Sequence, residues 1–152
     1  MAKPTLLNVI AKPVERDRIV SRGLFAIGKS RTDDSGRELQ TIDRDGGSRG
    51  AGIIRGASLI ARGEALGHNA FIDGETLEQV AEFGNSATNG IKVRFTHPSM
   101  SGDGLGSYLG RAKNLEVAGD RVIGDVHFSP AAKETPDGDL ASYVLGLAED
   151  DP

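Results

Sequence analysis

From Ile91 to His97 the chain alternates strictly, with Ile91, Val93, Phe95 and His97 on one side and Lys92, Arg94 and Thr96 on the other. That period of two is the signature of a half-buried strand, and Pro98 is placed to end it. Two further strands are predicted at 108–117 and 122–128 around a tight turn, Ala118-Gly119-Asp120-Arg121. In the second of them Val122, Gly124, Val126 and Phe128 share one face, and Ile123, Asp125 and His127 the other. Leu140, Tyr143, Val144, Leu147 and Ala148 fall at i, i+3, i+4, i+7 and i+8, which predicts an amphipathic helix capped by Asp137 or Asp139. A shorter helix is expected over 74–83, where Leu77, Val80 and Ala81 follow a cap at Asp73 or Thr76.

Residues 53–65 (IIRGASLIARGEA) read as a strand interrupted by glycine at a kink or bulge. Residues 101–106 read as a glycine-rich loop. The first fifty residues differ. Apolar clusters occur at 6–10 and 19–27, but between Arg31 and Gly50 only Leu39 and Ile42 are apolar. So few apolar side chains cannot offset the entropy of ordering, and 31–50 is expected to be a loop or linker, rich in Gly, Asp and Arg. The expected division is an arm and linker over 1–50 and a β-rich core over 51–152. The core is expected to be a small α+β domain, an antiparallel sheet or barrel with two short helices.

Composition narrows the chemistry. The 152 residues carry 18 basic and 22 acidic side chains, a formal charge of −4, which argues against coating nucleic acid. Cysteine is absent, which excludes a disulfide scaffold, a thiolate zinc site and a cysteine nucleophile. The apolar runs are too short to span a membrane, and the N-terminus shows no secretory-signal pattern.

There are three histidines. His97, at a strand end beside a flexible loop, is either a general base or a buried histidine held by a backbone carbonyl. Asp125 and His127, two residues apart on one face, either orient another imidazole or form an exposed polar face. His68 lies in a turn-like stretch and is expected to be exposed. No HExxH or His-x-His spacing is present, so no metal site is expected. GDGLGSYLG (102–110) lacks the Lys-Ser/Thr of a P-loop, and none of Ser99, Ser101, Ser107, Ser129 and Ser142 stands in a G-x-S-x-G elbow.

Three blocks together resemble one family: GHNAFIDGETLEQV (67–80), GIKVRFTHPSMSGDGLGSYLGRAKNLEVAGDRVIGDVHFSP (90–130) and GDLASYVLGLAEDDP (138–152). Their order of strand-end histidine, hairpin and acidic-ended helix resembles the prohead, or head-maturation, proteases of tailed bacteriophages, serine endopeptidases related in fold to the herpesvirus assemblins. The resemblance covers 51–152. It implies an assemblin-like core with His97 as general base and with Asp125, His127 and Asp73 as candidates for the third catalytic member. In that family the helix is followed by a strand bearing the nucleophilic serine. Here the chain ends at Asp150-Asp151-Pro152, so no nucleophile is assigned and the core is expected to be truncated.

No cofactor is expected. The resemblance implies phage capsid and scaffold proteins as partners, and is compatible with homo-oligomers. It places the protein in the host cytoplasm during assembly, then in the prohead interior or virion. The competing reading is a catalytically inactive, capsid-associated virion protein with the same fold. A third is an unrelated binding domain whose glycine-rich loop holds a small ligand.

Overall fold

The computed structural model describes residues 35–36, 40–65, 69–95 and 108–150. In chain order the elements are β1 (Ile42–Asp43), β2 (Ile53–Ala61), β3 (Gly63–Ala65), β4 (Ala70–Ile72), α1 (Gly74–Ser86), β5 (Ile91–Arg94), β6 (Tyr108–Ala118), β7 (Arg121–Phe128) and α2 (Leu140–Asp150). The architecture is α+β, with an antiparallel five-stranded sheet in the order β1-β2-β7-β6-β5 and a separate β3-β4 hairpin.

The β6–β7 hairpin follows the sequence pattern. Its turn is made at Gly119, whose φ of 64° glycine adopts without steric cost. Strand β7 sends Val122, Val126 and Phe128 into the core under both helices, and on its other face Ile123 and Asp125 are buried as well. Helix α1 lays Leu77 and Ala81 on Ala112, Leu115 and Val122. Helix α2 lays Ala141, Val144, Leu145 and Ala148 on Ile54, Ala57, Val126 and Phe128. Both helices therefore cover one face of the sheet. Truncating a buried leucine such as Leu77 or Leu145, each 1% exposed, removes about 2–5 kcal/mol at sites of this kind.

The caps select between the alternatives left open by the sequence. Asp73 begins α1, its Oδ1 accepting the Thr76 N–H and hydroxyl at 2.8 Å each. Asp139 begins α2, accepting the Ser142 N–H at 2.8 Å and its hydroxyl at 2.7 Å. At the far end of α1, Asn85 behaves like a piece of strand. Its Nδ2 donates to the Leu115 carbonyl at 2.7 Å and its Oδ1 accepts the Leu115 N–H at 2.8 Å.

Three local expectations need correction. Residues 53–65 are two strands, β2 and β3, in different sheets, because the chain turns at Arg62, whose N–H donates to the Asp120 carbonyl at 2.7 Å. The strand expected over 91–97 stays paired only as far as Arg94, with Phe95 already a bend; Thr96 and His97 lie outside the described residues. Within the polar stretch 31–50, Ile42–Asp43 form the edge strand β1 and pair with Ile53–Ile54. The Arg44 guanidinium there binds both Glu149 carboxylate oxygens at 2.8 and 2.6 Å, raising its own pKa and lowering that of Glu149. Among the described residues, no helix is long and apolar enough to cross a membrane.

Candidate functional site

Strand β5 is an edge strand, paired on one side with β6 through Ile91↔Ala112, Lys92↔Arg111, Val93↔Gly110 and Arg94↔Tyr108. The Arg94↔Tyr108 pair closes the base of the connection that carries His97, Ser99 and Ser101. At this corner Phe95 meets Tyr143 of α2 edge to face, with centroids 6.1 Å apart and planes at 69°. Such an aromatic pair adds about 0.5–1.5 kcal/mol beyond the area it covers, and it ties the exit of β5 to the helix layer. His97 itself, His68, Ser99, Ser101 and Pro152 lie outside the described residues, and with them the expected proximity of His97 to the end of the chain.

Arg94, at the end of β5, has its Nη1 buried with no hydrogen-bond partner among the described residues. A guanidinium nitrogen left this way costs more than an ordinary unpaired donor, because the group is always charged.

Asp125 does not form an exposed polar face. It is 6% exposed and sits between two bulges. Its Oδ1 accepts the N–H of Gly56 in β2 at 3.1 Å, and its Oδ2 accepts from Nδ2 of Asn114 in β6 at 2.9 Å. Both partners have a left-handed backbone, with φ of 69° at Gly56 and 53° at Asn114. Both lie where the pairing slips, between Ile54 and Ala57 in β2 and between Lys113 and Glu116 in β6. One carboxylate on the central strand thus braces the irregularities of both neighbours. The glycine inside 53–65 signalled the first bulge; no pattern of apolar residues signals the second.

His127 lies in register between Ile53 and Arg111. Partial burial lowers its pKa below the ordinary 6.5, Lys113 and Arg55 push the same way, and Asp125 opposes them. The ring is therefore biased toward the neutral form, the state in which an imidazole accepts a proton. Asp73 is exposed, and the two bonds it accepts from Thr76 hold its carboxyl below the usual carboxylate range.

The register separates these candidates. Asp125 pairs with Lys113, beyond the start of β5, and His127 shares a row with Arg111 and Lys92. The chain leaves toward His97 from the opposite end of β5, at Arg94. From the row of His127 to Phe95 is three residues along the strand, roughly 10 Å.

Near β5 a shallow groove of about 380 Å³ is lined by Thr76, Gln79, Val80, Phe83, Gly84 and Ile91. It contains no titratable side chain and offers no acid–base chemistry. Among the described residues, no three His, Asp or Glu side chains converge as a metal site. No protein-family model, curated protein or solved structure matches the chain.

Proposed function

We propose that the chain is the N-terminal portion of a head-maturation serine endopeptidase, acting on scaffold and capsid proteins during prohead maturation in the host cytoplasm. The observation that supports this reading is the β5–β6–β7 unit. An edge strand leads out to His97, the connection closes at Arg94↔Tyr108, and a two-strand hairpin follows. That is the order of elements on which the sequence resemblance rests.

In this reading a serine hydroxyl from a strand beyond residue 152 attacks the scissile carbonyl while His97 takes its proton. His97 then returns the proton to the leaving amine, and water releases the acyl group by the same route in reverse. The third member comes from Asp73, Asp125 or His127. Asp125 already has both oxygens engaged in the sheet, and Asp73 is engaged at the helix cap. His127 has the strand row nearest the exit of β5, but it shares the Lys92 and Arg111 side of the sheet, opposite the side on which alternation puts His97 with Phe95.

The test is peptidase activity on a scaffold substrate, measured for a chain extended through the strand that follows residue 152 in the full reading frame. The extended chain is expected to cleave, and His97→Ala and His97→Gln to lower kcat roughly 10⁴-fold or more with unchanged circular dichroism. The 152-residue chain is expected to show no turnover and no labelling by a serine-directed phosphonate. Full activity in His97→Gln would make the histidine structural. Labelling of the 152-residue chain would assign the nucleophile to Ser99 or Ser101. An inert extended chain that co-purifies with capsids would support the structural virion protein instead.

A further inference from the structure

The sheet and the helices carry opposite charge. Helix α1 presents Glu75, Glu78 and Glu82, α2 ends in Glu149-Asp150, and neither helix contains Lys, Arg or His. On the sheet face turned away from them, Lys92 and Arg111 form a cross-strand cationic pair, and His127, biased toward its neutral form, continues the row through Arg111↔His127. Lys113 extends the row on β6, with its stem against Gly90, and Arg111 Nη1 reaches the Gly90 carbonyl at 3.0 Å. Arg94, two residues from Lys92 on the same side of β5, adds a further cation, although its Nη1 is itself buried. The carboxylates on this face are committed or remote: Asp125 braces the bulges, Asp43 pairs with Arg55 at 3.1 Å, and Glu116 lies toward the hairpin turn.

The dimensions are comparable. Glu75, Glu78 and Glu82 are exposed at i, i+3 and i+7, one stripe about 10 Å long at 1.5 Å per residue. The cations Lys92, Arg111 and Lys113 span one strand spacing and two residues along β6, about 5 by 7 Å, with neutral His127 one strand further. We propose that the basic sheet face is a docking surface for a second copy of this chain, which inserts its α1 acidic stripe. The two surfaces are different, so the contact is head to tail. It leaves one acidic and one basic face open at the ends and extends into rings or filaments rather than stopping at a symmetric dimer. This inference does not depend on the peptidase reading.

Sedimentation velocity on the full chain at rising concentration tests it, at 50 mM and at 500 mM NaCl (values set by the screening lengths involved). The wild type is expected to grow in mass with concentration at low salt, with self-affinity at least tenfold weaker at high salt. Lys92→Glu/Lys113→Glu and Glu78→Lys/Glu82→Lys alter exposed positions and are each expected to be monomeric, with native circular dichroism. Mixed together, they are expected to associate again, since the acidic stripe retained by the first meets the basic face retained by the second. A wild type that stays monomeric at 50 mM salt overturns the proposal, as does association that both double variants retain, or a mixture that stays monomeric. A monomer that instead binds heparin through Lys92 and Lys113 also overturns it, assigning the face to a polyanion.

Discussion

Replacing Asp125 by asparagine tests whether a single carboxylate holds the two bulges of the sheet. The side chain is 6% exposed and accepts two hydrogen bonds, at 3.1 Å from Gly56 and 2.9 Å from Asn114. An amide retains one acceptor oxygen and turns an NH₂ toward the other donor, so one bond is lost and one donor is left facing another. A bond to a charged acceptor contributes about 1.5–3 kcal/mol, and an orphaned buried donor costs about 1–3 kcal/mol. A loss of about 2–4 kcal/mol is therefore expected. In urea, with a slope of about 1–3 kcal/mol per molar, the unfolding midpoint falls by about 0.7–4 M.

Asn114→Gly provides the partner measurement. At a φ of 53°, glycine is at ease, so this change removes the amide donor without adding strain. It is expected to cost about 1–2 kcal/mol alone. The double variant should cost less than the sum, because removing Asn114 also removes the donor that opposes the new amide. Coupling of about 1 kcal/mol is expected, against the roughly 0.3–0.5 kcal/mol scatter of independent sites. An Asp125→Asn protein within about 0.5 kcal/mol of wild type, or strictly additive costs, would refute the bracing role.

The remaining expectations concern packing, pH and a helix end. Gly110→Ala aims a methyl group at the backbone of β7, against the His127 carbonyl and 2.9 Å from Phe128 Cα. It should cost at least about 3 kcal/mol, whereas Gly119→Ala, with open space around it, should cost only the left-handed penalty of about 1–2 kcal/mol. Equal thermal shifts in the two would contradict the close approach of β6 to β7. His127 has a lowered pKa, so as pH falls through 6.5 the unfolded chain takes up its proton first and stability declines until the folded pKa is passed. Urea midpoints across pH 7.5 to 5 should show this slope, a His127→Gln variant should show less of it, and equal slopes would dismiss the assignment. For Asp139, partial burial raises the pKa but the two Ser142 bonds outweigh it and hold the carboxyl below 3.8. Its cap is thus intact above that value and is lost as pH falls through the lower folded one. Asp139→Ala should cost about 1 kcal/mol at neutral pH and nothing once the wild-type carboxyl is protonated, which thermal melts at both pH values would check.

The elements that announced themselves are those whose pattern is local. Alternation over 91–94 and 108–128 and helical spacing over 140–148 depend only on neighbours within a few residues, and the Gly119 turn supplies its own signal. Strand β1 is two residues long and exists through its partner, so nothing in Ile42–Asp43 marks it. The pairing of β2 with β7 joins segments that are distant in sequence and share no local signature. The candidate site divides the same way. Period-two counting put Asp125 and His127 on one face, but it could not show that Asp125 is consumed by bulges on both flanking strands. The orphaned Nη1 of Arg94 was equally invisible, because alternation says which side a cation occupies and not whether an acceptor meets it.

The strand order β1-β2-β7-β6-β5 also sets a timetable for assembly. The β6–β7 hairpin closes over a two-residue turn, and β5 joins it across the connection at Arg94↔Tyr108. Strand β2 is synthesised well before β7, and Gly56 is 69 residues from the Asp125 carboxylate it binds. Closing a loop of that length carries an entropic penalty of about 4 kcal/mol, which no contact repays until the strand has docked. A nascent chain that has emerged only as far as β6 therefore holds β1 and β2 without a sheet to join. Strand β2, with β1 beside it, can pair with β7 only once Phe128 has cleared the ribosome, and the insertion of β2 beside β7 is expected to be the slowest step of folding.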